Sequence, residues 1–261
     1  MGKIVSIHSF RGGTGKSNTT ANLSSQMAMM GKRVAMVDTD IQSPGIHVLF
    51  GLDEQKMKHT LNEYLHGQVT IEEVAYNVGE NVEDGAPAGR AQLKGKDLWL
   101  VPSSINSGEI SRILRDGFDF NVLNKGLQSL RKKLELDYLF IDTHPGLNDE
   151  TMLSVAISDL LVIILRPDQQ DFQGTAVTVD VARSLDVPNL LLLVNKALQR
   201  YDFGQIKQQV ETTYSATVAG VLPLTEDMVD LASSDIFSLR YPDHAWSKAI
   251  KSVAEMIAAQ G

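Results

Sequence analysis

Residues 11–18 read RGGTGKSN, and their types and spacing suit them to hold a chain of phosphates. Gly12, Gly13 and Gly15 permit backbone angles closed to other residues. Such a stretch, with Thr14 and Asn18, can turn successive N–H groups toward phosphate oxygens, with the positive end of a helix behind them. Lys16 would reach the β- and γ-phosphates, and the Ser17 hydroxyl would bind Mg²⁺. Two residues stand out beside this pattern. Phe10 sits where the strict pattern has glycine, and Arg11 adds a second cation.

A metal on Ser17 needs further oxygen ligands. Asp142 closes the apolar run LDYLFID (136–142), the Walker B position. Asp38 and Asp40 lie two apart in VDTDIQSPG. If both stand at the C-terminal end of a strand, they project into the crevice where parallel sheets bind ligands. One could hold a water on the metal, and the other could orient the attacking water. The same pair could instead serve as a turn or helix cap. His144 follows Asp142 by two and is read either as a γ-phosphate sensor or, more plainly, as a loop histidine without a role. Asn195, in LLVNKA, can pair with a purine edge through its donor and acceptor, or cap the strand–loop junction.

These side chains need a scaffold of strands. Apolar runs occur at 3–8, 33–38, 97–102, 136–142, 160–167, 189–195 and 216–223. Most are near-continuously apolar, as strands buried on both faces are. Helical patterns lie between most of them, beginning with a helix from 16 to about 30. The expectation is an α/β fold: a mainly parallel twisted sheet with helices on both faces. Mixed helical segments are expected through residue 78, and the Gly-rich stretch 79–96 reads as a loop or insertion. Without a convincing boundary or repeat, residues 1–261 read as one domain. In the last segment, 245–259, Trp246, Ile250, Val253 and Ile257 recur at helical spacing, which predicts a helix packed on the core.

Composition narrows the function. The 261 residues are 43% hydrophobic, contain no cysteine and carry a net charge of -8. Thiolate clusters and disulfides are excluded, a reducing cytoplasmic setting fits, and the molecule as a whole repels nucleic acid and anionic membrane. No apolar run is long enough to span a bilayer. Locally, residues 53–84 carry a net of -6 and residues 90–133 a net of +5. Both read as solvated faces, or the second as a surface for nucleic acid or an acidic partner.

RGGTGKS (11–17), DTD (38–40) and IDTHPG (141–146), with the late LVNK and VLPLTED, resemble the ParA/MinD family of deviant Walker A ATPases. The resemblance covers nearly the whole chain, and the deviant loop does not require glycine at Phe10. It implies a P-loop NTPase fold and an ATP- and Mg²⁺-dependent homodimer switch. A small adaptor protein would stimulate its slow hydrolysis, and the cycle would position a cargo. By matching position, Lys16 is the P-loop lysine and Ser17 the Mg²⁺ ligand. Asp40 is the water-positioning carboxylate, and Asp142 the Walker B residue with Asp38 nearby. Arg11 departs from the family's signature lysine, which reaches the partner subunit's phosphates. Three readings are open for it: an arginine finger in trans, a phosphate ligand that hydrolyses poorly, or a residue that points away while another cation serves. Certain carboxysome-positioning members also lack the signature lysine.

The resemblance implies a surface contact as well. MinD-like anchoring requires a basic C-terminal amphipathic helix, and 245–259 carries only Lys248 and Lys251. Nonspecific DNA is therefore expected rather than membrane, with nucleoid association in the ATP-bound form. Residues 183–251 hold seven bases and eight acids, so the local balance does not choose between that region and 90–133. Three other functions stay open: an ATP-dependent small-molecule ligase or synthetase of the related P-loop group, a MinD-like division-site regulator, and a nucleotide sensor with negligible turnover.

Overall fold

The computed structural model describes residues 2–260. In chain order the elements are β1 (Lys3–His8), α1 (Lys16–Met29), β2 (Val34–Asp38), α2 (Ile46–Leu49), α3 (Leu61–Leu65), β3 (Tyr76–Asn77), α4 (Ala88–Ala91) and β4 (Leu98–Val101). They continue with α5 (Ser107–Asp116), α6 (Phe120–Lys133), β5 (Tyr138–Asp142), α7 (Asp149–Ala156), β6 (Leu160–Leu165) and α8 (Gln169–Ser184). The last are β7 (Leu190–Ala197), α9 (Phe203–Tyr214), β8 (Thr217–Pro223), α10 (Glu226–Asp230), α11 (Phe237–Arg240) and α12 (Ala245–Ala259). The strands form one sheet in the order β3-β4-β2-β5-β1-β6-β7-β8. Every pairing is parallel except β3 with β4.

Alternation along each strand divides the core between the two faces of the sheet. On one face Val5, Ile7, Tyr138, Phe140, Val162 and Ile164 meet α1, α11 and α12. On the other, Ile4, Leu139 and Ile141 join residues of α3, α5 and α6. Leu161, Ile163 and Leu165 join those of α8 and α9. In α12, Trp246, Ile250, Val253 and Ile257 are all buried, so its apolar stripe is spent on the core. Trp246 meets the Phe237 ring edge-on at 5.5 Å.

Two local expectations change. The helical reading through residue 78 gives way at its end to β3, an antiparallel edge strand that pairs Tyr76 with Leu100. The stretch 79–96 is not all loop: it contains α4, whose first turn is capped from far along the chain by the buried carboxylate of Asp235. That carboxylate accepts from the N–H groups of Gly89 (2.8 Å) and Arg90 (2.7 Å). The two charge runs partly neutralise each other, through Lys94–Asp84 (3.0 Å) and Lys133–Glu72 (2.7 Å). Among the described residues no helix is long and apolar enough to cross a membrane.

Candidate active site

β1 ends beneath the glycine-rich loop. Gly13 (φ 74°) and Gly15 (φ 97°) occupy the left-handed region, and Gly15 is the N-cap of α1. No side chain caps α1, and its first turn holds no acid. Asn106, Asp119, Asn148, Asp168 and Asp202, by contrast, cap α5 to α9 with their own side chains. The first N–H groups of α1 are thus left for an anion. Lys16, the first residue of the helix, is buried, as is Thr14, while Gly12 stands open beside Pro145. Asn18, on the first turn, accepts at its carbonyl from the Asn22 amide.

The carboxylates arrive by strand register. β2 and β5 are adjacent, and Asp38 lies directly opposite Asp142. The Ser17 hydroxyl donates to Asp142 Oδ2 at 2.7 Å, and Thr20 Oγ1 to Oδ1 at 3.3 Å. Asp38 accepts from the N–H groups of Gly45 (3.0 Å), Ile46 (3.3 Å) and Asp40 (3.2 Å). Burial raises the pKa of both carboxyls, and the Asp142 charge raises Asp38 further. The Ser17 hydroxyl and Lys16 act on Asp142 in the opposite sense. A hydroxyl and two carboxyls, hard oxygen donors crowded as like charges, fit a small divalent cation such as Mg²⁺. Among the described residues no three His, Asp or Glu side chains form a metal cage. A cation there would need phosphate and water to complete its coordination.

Asp40 and His144 form a further pair, His144 Nδ1 to Asp40 Oδ1 at 2.7 Å. An ionised carboxylate only accepts, so Nδ1 carries the hydrogen. The histidine that sequence reasoning left between a γ-phosphate sensor and a loop residue without a role thus has a partner in the site. Each residue lies two positions past one member of the in-register pair Asp38–Asp142, a register that the local sequence does not encode. His8, at the end of β1, is fully buried, and its Nδ1 lies 2.8 Å from Thr143 Oγ1. Since Thr143 Oγ1 donates to the Ile7 carbonyl (3.0 Å), it accepts from His8. Burial, aided by the charges of Lys16 and His144, lowers the His8 pKa to about 3.

Arg11 rests along the first turn of α8. Its guanidinium donates to Gln170 Oε1 and lies 3.9 Å from Asp171. Asp171 is already engaged by Arg166, through Nε (3.0 Å) and Nη2 (2.9 Å). Phe10 packs on the same helix: a Cβ built on Gly174 would lie 2.1 Å from Phe10 Cδ1. Asn195 meets the loop itself. Its Nδ2 donates to the Thr14 carbonyl at 2.8 Å, and its Oδ1 accepts from the Lys196 N–H at 2.9 Å. One N–H and one lone pair of the amide remain. Lys196, which sequence reasoning did not single out, donates from Nζ to the Gly13 carbonyl at 2.7 Å.

The AAA domain family matches residues 2–199. The uncharacterized ATP-binding protein MJ0547 of Methanocaldococcus jannaschii is 24% identical over 255 residues, 97% of this chain and 87% of that protein. The sporulation initiation inhibitor protein Soj of Bacillus subtilis is 28% identical over 183 residues, 70% of this chain and 66% of that protein. Among solved structures, the septum site-determining protein MinD of Pyrococcus horikoshii, complexed with Mg-ADP, superposes with a TM-score of 0.78. It is 21% identical and covers 98% of this chain and 96% of its own.

Proposed function

The chain belongs to the AAA domain family, within the ParA/MinD group of P-loop ATPases, and from that premise we propose that it is an ATP-hydrolysing dimerisation switch that positions or partitions a cargo. All of residues 1–261 would act as one ATPase unit. The observation that carries the reading is the convergence of three strand ends: the Ser17 hydroxyl on Asp142, Asp38 in register beside it, and Asp40 held by His144. Gly12 to Asn18 would bind the phosphates, and Lys16 would neutralise charge on the transferred group. Mg²⁺, held by Ser17 and Asp142 with Asp38 behind, would supply charge neutralisation on the phosphate oxygens. With Oδ1 of Asp40 taken by His144, Oδ2 is left to orient the attacking water. Asn195 has donor and acceptor capacity remaining for a purine edge.

Dimerisation is supported by where large apolar side chains stay exposed. Phe10, Ile105, Tyr201 and Leu224 each follow the C-terminal end of a strand (β1, β4, β7 and β8) within four residues. Exposed apolar side chains at this end of the sheet suit an interface. In such a dimer Arg11 would leave Gln170 and meet the partner subunit's phosphates. A small adaptor would enter by the groove of about 280 Å³ beside His144, lined by Gln42, Leu114, Asn148 and Glu150 among others. Nonspecific DNA is the proposed surface. The buried stripe of α12 argues against a lipid-facing helix there, and Arg112, Lys125 and Lys132 are exposed cations of the basic run.

The test is gel filtration of wild type and Asp40→Ala with ATP and Mg²⁺, alongside phosphate release. Asp40→Ala should stay dimeric with ATP and lose turnover. A monomer in both proteins at saturating ATP would sink the switch. DNA binding should require ATP and weaken with salt, at a log–log slope of about -0.9 per phosphate contacted. No binding at low salt with ATP would remove DNA from the proposal.

A further inference from the structure

Consecutive side chains of a strand point to opposite faces of the sheet. Asn195 and Lys196 are consecutive in β7, yet both reach the same loop, at the carbonyls of Thr14 and Gly13. A break in the ladder makes this possible. Val194 pairs with Val221 and Ala197 with Pro223, so β7 advances three residues while β8 advances two. The extra residue is a β-bulge, a device that re-aims side chains. Lys196 carries φ 59°, the left-handed region that disfavours a residue with a side chain.

The two carbonyls are not arbitrary. In a trans peptide the C=O and N–H of one unit point in opposite directions. The Gly13 carbonyl shares its unit with the Thr14 N–H, and the Thr14 carbonyl with the Gly15 N–H. Neither N–H has a protein partner among the described residues. Holding both oxygens against β7 turns both N–H groups the other way, into the concave side of the loop. Gly13 and Gly15 flank these units with little resistance to rotation. A unit that flipped would present a carbonyl oxygen to the phosphate instead of a donor. The fit is close: a Cβ on Gly15 would lie 2.6 Å from Asn195 Nδ2.

We propose that Asn195 and Lys196, re-aimed by the β7 bulge, are positioning residues that pin two carbonyls of the phosphate loop outward and so preset its N–H groups for phosphate. This rests on the loop binding nucleotide, and it gives Asn195 a task independent of any base.

Inorganic tripolyphosphate, which has no base, separates the two tasks. The full chain is titrated with tripolyphosphate and with ATP, as wild type, Asn195→Ala, Lys196→Met and Lys196→Arg. Asn195→Ala and Lys196→Met should each weaken tripolyphosphate roughly five- to tenfold, the worth of one hydrogen bond. ATP should weaken by a similar factor, and Lys196→Arg should bind as wild type. In the ligand-free protein the amide resonances of Thr14 and Gly15 should shift in both weakened variants. Lys196→Gly should melt no lower than wild type, because glycine tolerates the bulge, yet bind tripolyphosphate as weakly as Lys196→Met. Asn195→Ala that binds tripolyphosphate normally and loses only ATP assigns Asn195 to the base and overturns the proposal. A loss confined to the lysine variants is plain charge attraction and overturns it as well. Wild type that binds neither ligand refutes the nucleotide reading itself.

Discussion

Gly174→Ala tests whether α8 sets the position of the phosphate loop. In the middle of a helix, alanine gains about 1 kcal/mol over glycine. Here the new methyl would lie 2.1 Å from Cδ1, 2.4 Å from Cγ and 2.8 Å from Cβ of Phe10. Overpacking of this kind costs about 1–3 kcal/mol. The ring is 37% exposed, so it has room to leave, which favours the lower half of that range. The net expectation is a loss of about 0–1 kcal/mol in place of a gain. Phe10→Ala removes the ring and leaves only its Cβ at 2.8 Å, a single contact that a shift of the loop must relieve. In that background Gly174→Ala should cost less than in wild type. Urea denaturation of the four proteins measures the coupling, expected at about 1–2 kcal/mol. Equal stabilisation by Gly174→Ala in both backgrounds would refute the packing argument, and with it the idea that α8 restrains residue 10.

Three further outcomes are expected. His8 is held neutral with its pKa near 3, so the unfolded chain binds a proton below about pH 6.5 that the native state does not. The stability it contributes is therefore present above pH 6.5 and lost as pH falls toward 3, by about 2 kcal/mol at pH 5; His8→Asn should flatten urea midpoints across this window, and an unchanged slope contradicts the assignment. His144→Ala removes the donor to Asp40 and should lower ATP turnover by roughly 10- to 100-fold with ATP affinity within about twofold; loss of affinity without loss of turnover would place His144 elsewhere. Gly126→Ala drives a methyl to 2.4 Å from the Tyr64 hydroxyl, which donates to the Val122 carbonyl at 2.8 Å; its melting temperature should fall, whereas in a Tyr64→Ala background the same change should raise it.

The sheet was legible because its strands are buried on both faces and read as apolar runs. β3 was not, since two residues on an antiparallel edge carry no period. Nor was α4, whose cap, Asp235, lies some 145 residues away in sequence. The phosphate loop and Asp142 could be read because each follows a strand in the local sequence. The His144–Asp40 contact depends on β2 lying beside β5 in a particular register, which no local pattern encodes. The destination of Asn195 and Lys196 depends on a bulge, and a strand pattern with strict alternation predicts the opposite. The contact of Arg11 with Gln170 joins two segments 159 residues apart.

The sheet order has a consequence for how the protein comes into being. β1 and its loop are synthesised before every other strand of this sheet, but β1 is flanked by β5 and β6, whose paired residues begin at Tyr138 and Leu160. The groups that hold Gly13 and Thr14 come later still, at Asn195 and Lys196. At synthesis rates of about 5–20 residues per second, the glycine-rich loop waits roughly 10–40 s for its last supports. Contacts so distant in sequence make assembly slow. Until they form, the apolar first strand stays open to wrong pairing, and the growing chain has no completed phosphate pocket. Nucleotide can therefore reward folding only near its end, as a ligand of the finished sheet rather than a template for it.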